Sequence, residues 1–355
     1  MRLEARPHTR WQHGLGFGAA AAAAVMMIAA ALVAAAGAPV MQTFGLMAQG
    51  AFGSVFALSE TLTRAIPLLL TSLAATVAFK ARLFNIGAEG QLYAGAIAAV
   101  AVGGGAVDLP PALLFPLMLA AAVAAGALLL LGPALMKLLW GVDEVVSTLL
   151  LNFIVLLGVG ALLDGPMKDP TALGWPQSVG LVDGLGLAKL IPQTRVHSGL
   201  LISIGAALAL WLLLRFTTLG FDIRALGANA RAARFAGVPV LRTTLWVALL
   251  SGGLAGLAGA VEVAGRTGYV TLDMSPGYGY TGIVIAMLAG LQPLAVVAAS
   301  IGVAAVLVGA DSMSRAIGVP TYLADVVVAS ALLAVLVASM LTRYRLRFER
   351  TRVTL

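Results

Sequence analysis

The sequence predicts an all-α integral membrane protein, and three observations carry that expectation. Of 355 residues, 61% are hydrophobic and 10% are charged, with a mean hydropathy of +1.00. A soluble domain carries about a quarter charged residues. Apolar runs of roughly the 20 residues that cross a hydrocarbon core recur along the whole chain. Lys and Arg gather at the ends of those runs, as the positive-inside rule requires. The net charge of +7 therefore reads as topology rather than as a nucleic-acid footprint. The absence of Cys excludes disulfides, thiolate metal sites and Cys nucleophiles. Two of the three His, His8 and His13, lie in the N-terminal tail, so no His-rich metal site is expected.

Residues 1–14 form a tail with Arg2, Arg6 and Arg10, followed by an apolar run from about Leu15 to Ala36. The small residues Ala34–Ala36 mimic a signal-peptide cleavage site. The run is longer than a signal h-region of about 7–15 residues, which favours a retained first helix. Further spans are expected near 61–79, 87–107, 111–133, 144–163, 198–215, 242–262, 277–291, 293–310 and 320–341. Lys80 and Arg82, Lys137, the group Arg215, Arg224, Arg231, Arg234 and Arg242, and the basic tail 342–355 all fall inside on a ten-span map with both termini inside. The membrane domain is then 15–341. The segment 277–291 is short and Gly-rich, so a half-span is the alternative, with eight or nine full crossings. The polar, Pro-containing stretch 164–197 falls outside as a loop suited to a soluble partner or a plain connector.

Three segments break the lipid-facing pattern. Residues 84–91 read FNIGAEGQ, with Asn85, Glu89 and Gln91 and two Gly at the start of a span. Charge at depth normally faces the bundle interior or a water-filled path. An ordinary turn, with Asn85 as N-cap and Glu89 favouring the helix N-terminus, is the alternative. Residues 143–152 place Thr148 and Asn152 on one helical face. That face would line a pathway or bond to a neighbouring helix. Residues 275–282 read SPGYGYTG and suggest a broken helix, a feature that marks transport pathways when it occurs in both halves of a chain. Gly252, Gly253, Gly256 and Gly259 crowd one span, and Gly252 with Gly256 forms a GxxxG packing motif.

The inside loop 216–241 is basic and helical at its centre. Asn229 suits an N-cap, Ala230–Ala236 a helix, and Gly237 the C′ position with Pro239 beyond. So short a helix needs something to pack on, either the membrane domain or a cytoplasmic partner. No G-x-x-x-x-G-K-[ST] occurs, so any ATPase is another polypeptide. No nucleophile elbow or HExxH occurs either, and an enzyme reading has no support.

The string LFNIGAEGQLYAGAIAA at 83–99 closely resembles the hallmark of permeases in the branched-chain amino acid and ribose ABC importer superfamily, most of all its nucleoside and simple-sugar group. VDEVVSTLLLNFI at 142–154, LGFDIRALGANARAARFAGVPV at 219–240, SGGLAGLAGAVEVAG at 251–265 and GYGYTGIVIAMLAGLQPLA at 277–295 resemble further stretches of that group, in order. The resemblance covers roughly residues 50–340. It implies a type II-like ABC importer permease with about ten transmembrane helices in a bacterial inner membrane. It further implies two cytoplasmic ATPase subunits that bind the ATP, a periplasmic substrate-binding lipoprotein, and a second, different permease. No cofactor belongs to this chain. The expected function is import of nucleosides or related simple sugars, with ribose-like sugars or branched-chain amino acids as alternative cargoes. Arg224, Gly227, Asn229, Ala232, Ala233, Arg234 and Gly237 would couple to the ATPase. Asn85, Glu89, Gln91, Thr148 and Asn152 would border the translocation pathway and offer weak hydrogen bonds to a polyhydroxylated cargo. The rival is an ion-coupled secondary transporter using Glu60, Glu89, Glu262, Asp311 and Asp325 as proton carriers. A structural membrane scaffold is a second rival.

Overall fold

The computed structural model describes residues 39–318 without a break, residues 2–5 and 344–347, and scattered positions between 23 and 37 and between 326 and 340. The spans expected at 15–36 and 320–341, together with Asp325, lie outside the continuously described residues. The helices are α1 (Val40–Phe52), α2 (Val55–Lys80), α3 (Ala88–Gly103), α4 (Pro111–Trp140), α5 (Glu144–Asp164), α6 (Gly199–Phe216), α7 (Thr218–Ala228), α8 (Ala230–Phe235), α9 (Val240–Glu262), α10 (Tyr278–Leu288) and α11 (Pro293–Ile317). Strands β1 (Arg2–Ala5) and β2 (Tyr344–Arg347) pair antiparallel, with Arg2 opposite Arg347. Among the described residues, six helices are long and apolar enough to cross a membrane: α2, α4, α5, α6, α9 with the turn that extends it to Thr267, and α11.

The chain forms two compact units, one of residues 1–57 and 305–355 and one of residues 58–304. In the first, α1 packs on the C-terminal half of α11. Met47 lies against Ala310 and Met313, and Gly50 faces the Ser312 side chain. The sequence reading places no element at α1. Its 13 residues, about 20 Å of helix, are too few to cross the hydrocarbon core, so a search for spans passes over it, and its visible support is this packing.

In the second unit α2 and α9 are central and α5 and α6 peripheral. The most apolar stretch of α2 is 83% buried, against 17% for α5. The glycines of α9 make the centre possible. A Cβ on Gly252 would overlap the Gly126 carbonyl of α4, one on Gly256 the Ala122 carbonyl of α4, and one on Gly259 the Leu92 carbonyl of α3. Backbone therefore packs directly on backbone, as small residues permit in membranes. Gly256→Leu is expected to separate α9 from α4 at a cost of about 1–3 kcal/mol or more. A fall in monodisperse protein in detergent and in its melting temperature, compared with Gly205→Leu, checks this. Nothing within 4 Å would meet a side chain at Gly205.

Residues 164–198 fold against one end of the bundle. Leu185 is buried with Ala99, Leu114, Met118, Ala260 and Ala264. Isolated bridges join Lys168 to Ser178, Gln177 to Thr271 and Lys189 to His197. The His197 ring fills the space that a side chain at Gly265 would occupy, and Nδ1 accepts from the Gly199 N–H at 3.2 Å. Burial pushes its pKa down to about 4. The unfolded chain binds the proton below its ordinary value of about 6.5, whereas the folded chain resists it until about pH 4. Stability is expected to be unaffected above pH 6.5 and to fall between pH 6.5 and 4, by up to about 3 kcal/mol. Melting temperatures across that range, flatter for His197→Gln than for the parent, check this.

Candidate functional site

The three segments that break the lipid-facing pattern meet at one place. After α2 ends at Lys80, the turn Ala81–Leu83 leads into the extended residues 84–86, which fold back along α2. The Asn85 amide donates to Ser251 Oγ at 3.0 Å, and that hydroxyl donates to the Ala74 carbonyl at 2.8 Å. Ala74 lies six residues before Lys80, so the chain has re-entered by roughly 9 Å at 1.5 Å per residue. Helix α3 starts from this depth. Its 16 residues span about 24 Å, short of the roughly 30 Å of hydrocarbon.

Helix α10 is shorter still, with 11 residues, or about 16 Å. A full span at 277–291 is therefore not formed by this helix, and the alternative of a half-span matches its length. Thr71 Oγ1 donates to the Tyr278 carbonyl at 3.0 Å, and Thr71 is nine residues from the end of α2. The N-terminus of α10 thus lies near the middle of α2.

The ends of these two short helices are tied together by side chains. Asn85 and Gln91 exchange two hydrogen bonds at 2.8 and 2.9 Å, and Asn85 Oδ1 also accepts from the Gly87 N–H at 2.9 Å. Gly87, not Asn85, is the N-cap of α3. Asn85 stabilises the turn before the helix, and its remaining bonds reach other helices. Glu89 Oε2 accepts from the Gly279 N–H at 2.6 Å, with the Ser275 hydroxyl and the Gly277 N–H close by. A side chain from α3 therefore caps α10, a use of the carboxylate that suits the positive end of a helix. A Cβ on Gly279 would overlap the Glu89 backbone, so Gly is required for this approach.

From α5, Asn152 completes the junction. Its Oδ1 accepts from the Gly90 N–H at 2.8 Å, and its Nδ2 donates to the Ile86 carbonyl at 2.9 Å and to Tyr280 Oη at 3.1 Å. Thr148 Oγ1 accepts from the Ile86 N–H at 3.2 Å and donates back to the Glu144 carbonyl. Glu144 Oε1 accepts from the Phe84 N–H at 3.1 Å and pairs with Lys137, whose ammonium also donates to the Arg82 carbonyl at 3.0 Å. The unwound segment 82–87 thus has its backbone groups met by α4 and α5, as a break inside a membrane protein requires.

Asn85, Glu89, Gln91, Thr148 and Asn152 are all buried, and every one bonds within the chain. The sequence brought these five to notice but did not show that they join. Ser251 and Tyr280 were missed as members. Ser251 sits among packing glycines, and the Tyr280 hydroxyl matters only because Asn152 reaches it. The Tyr280 ring is 37% exposed.

The acidic side chains weighed for proton transfer are differently placed. Glu262 pairs with Arg266 one helical turn on, and Glu60 pairs with Arg195 at 3.4 Å. Among the described residues no three His, Asp or Glu side chains gather as a metal site.

The second candidate element is the basic loop. Thr217 caps α7 and Asn229 caps α8, the latter accepting from the Arg231 and Ala232 N–H groups at 3.0 and 3.1 Å. Gly237 adopts φ +85° at the end of α8, and Val238 N–H returns to the Ala233 carbonyl at 3.0 Å. These are the capping roles expected of Asn229 and Gly237. A Cβ on Gly227 would overlap the Lys80 carbonyl, which seats α7 against the end of α2. Ala233 is buried, whereas Arg231, Ala232 and Arg234 are exposed. Phe235 is 98% exposed. It was not singled out from the sequence, because a single Phe among apolar residues carries no signal until its exposure is known.

Comparison with known proteins places the chain in a family. The family model described as branched-chain amino acid transport system / permease component matches residues 57–336. The chain is 38% identical over 324 residues to the glucose ABC transporter permease protein TsgB13 of Haloferax volcanii, covering 87% of this chain and 84% of that one. It is 32% identical to the guanosine ABC transporter permease protein NupP of Bacillus subtilis, covering 88% and 89%. It is 30% identical to the nucleoside ABC transporter permease protein NupB of Lactococcus lactis, covering 83% and 85%. A matched span of four-fifths of the chain and, among the described residues, six helices long and apolar enough to cross a membrane lead to one conclusion: this chain belongs to the branched-chain amino acid transport system permease family, and is a multi-pass membrane transport subunit rather than an enzyme.

Proposed function

We propose that the chain forms one half of the substrate pathway of an ATP-driven importer for nucleosides or related simple sugars. A second, different permease supplies the other half, and a periplasmic binding lipoprotein delivers the cargo. The observation that carries the ATP-driven reading is α8, a doubly capped helix that turns Arg231, Arg234 and a wholly exposed Phe235 away from the bundle. Exposed aromatic and Arg side chains of this kind anchor protein interfaces. The ATPase binds the ATP and docks here, and Arg224, Gly227, Asn229, Ala232, Ala233, Arg234 and Gly237 form or position the contact. The names of the relatives support the cargo class. The outward face of α5, with Leu149, Leu150, Phe153, Ile154 and Leu157 exposed, offers an apolar surface for the second permease or lipid.

The pathway passes the two short helices. Asn85, Glu89, Gln91, Thr148 and Asn152 serve it by fixing the height and direction of the N-terminal ends of α3 and α10, and Tyr280 is the member of the network whose ring is free to meet cargo. Both termini lie inside a bacterial inner membrane, as the positive-inside pattern indicates. The pairing of β1 with β2, which brings residues 2–5 and 344–347 together, supports their common side.

Uptake of radiolabelled guanosine and adenosine into vesicles carrying the whole complex tests this reading. Vanadate-sensitive uptake competed by nucleosides and not by ribose supports it. Vanadate-sensitive uptake of a free sugar or a branched-chain amino acid moves the cargo. Uptake abolished by a protonophore and indifferent to vanadate overturns it in favour of an ion-coupled carrier.

A further inference from the structure

A cavity of about 430 Å³ opens where three spanning helices end. It is lined by Lys80 from the last residue of α2, by Trp211, Leu214, Arg215 and Phe216 from the end of α6, by Arg224 of α7, and by Gln292 and Pro293 at the start of α11. Three cations thus converge on one space. None of them forms an ion pair or hydrogen bond with another described side chain, and Arg224 is the charge that bears on the half-buried Lys80 ammonium. The guanidinium of Arg215 lies 5.9 Å from the centre of the Phe216 ring. Like charges held together destabilise one another, and an anion small enough to enter the cavity would relieve that repulsion.

Two features say what that anion is. The cavity lies at the ends of helices that cross the membrane, and so at the level of lipid headgroups. Part of its wall is apolar as well. Trp211 and Phe216 continue into the outward face of α6, where Leu208 and Leu212 are exposed. A ligand with a phosphate at one end and acyl chains at the other matches that gradient. A soluble anion matches only the charged part. Cations at the ends of α2 and α6 also complement the helix dipoles, but that does not account for Arg224, which sits within α7.

We propose that this cavity is a binding site for a phosphate group supplied by an anionic phospholipid. Lys80, Arg215 and Arg224 hold the phosphate, and Trp211 and Phe216 flank the glycerol and the first methylenes. Basic pockets between membrane helices take such headgroups. The lipid would join α2, α6 and α7 at the point where Gly227 already seats α7 against the Lys80 carbonyl. The basic loop would then be held in place by the membrane as well as by its own contacts.

Native mass spectrometry of the intact purified complex tests the site. Delipidated complex would be titrated with phosphatidylglycerol, phosphatidylcholine and inorganic phosphate, using the parent, Arg215→Gln and Lys80→Gln. Arg215 is exposed and ends a helix, so its substitution leaves packing intact should Lys80→Gln fail to assemble. The expected result is retention of phosphatidylglycerol over phosphatidylcholine, reduced about five-fold for each cation removed. Equal retention by parent and variants overturns the proposal. Displacement of phosphatidylglycerol by millimolar inorganic phosphate would assign the cavity to a soluble anion and overturn it too. No lipid preference, together with loss of the ATPase subunit in Arg215→Gln, would assign the cations to an acidic face of that subunit, with the same consequence.

Discussion

Replacing Glu89 with Ala is expected to reduce uptake by more than tenfold while the protein still inserts and assembles. The carboxylate is 3% exposed and accepts from the Gly279 N–H, with the Gly277 N–H and the Ser275 hydroxyl close by. The first turn of a helix has no backbone partners for its N–H groups, and the Glu89 carboxylate supplies one for α10. Each buried donor left without an acceptor costs about 1–3 kcal/mol. The cost falls on the position of α10 rather than on the whole fold, because Gly252, Gly256 and Gly259 hold the central helices independently. Glu89→Gln retains one acceptor oxygen and loses the charge. If capping is the role, Gln restores most of the uptake that Ala loses. If the charge itself acts on cargo or a proton, Gln and Ala fail alike. Uptake and surface expression measured in parallel for both variants distinguish these outcomes, and wild-type uptake by Glu89→Ala would remove Glu89 from the mechanism.

Gly227→Leu is the second large effect expected, and it acts at the opposite kind of contact. A side chain here would overlap the Lys80 carbonyl, so α7 must lift from the end of α2 and carry α8 with it. The helices of the bundle are untouched. ATP hydrolysis in the complex should therefore lose its dependence on cargo-loaded binding protein, with uptake reduced by about tenfold or more, the scale of losing an interface anchor. Arg234→Glu separates position from contact. Its side chain is exposed, so reversal changes what the ATPase meets without moving α7. The two variants should fail in the same assay, while only Gly227→Leu alters protease accessibility of residues 217–239. Unchanged coupling in both would refute the placement of the docking element.

Much of this was legible in advance where a residue acts on its own neighbours. Asn229 and Gly237 were assigned as caps from their places around an Ala-rich run, and capping is a local matter of one side chain and the next three backbone groups. The short span at 277–291 was legible for the same reason, since length and Gly content are local. Helix α1 was not legible. Its stability comes from contact with α11, more than 250 residues away in sequence, and its 13 residues are too short to register as a span.

The sequence by itself determined that this chain lives in a membrane, because 10% charge cannot solvate a surface of this size in water. It also determined where the helices break and which end of each carries positive charge. It marked Asn85, Glu89, Gln91, Thr148 and Asn152 as costly residues to place among apolar ones, without saying which partners would meet that cost. Only the tertiary structure decided that they answer one another. Asn152 meets Gly90, Ile86 and Tyr280, and Glu89 caps a helix that begins 189 residues later. A buried polar group must find a partner, and in a low-dielectric interior the partner is chosen by which backbones can approach. Here that choice was made by glycines on α9 and α10, whose missing side chains let the broken helices close on each other.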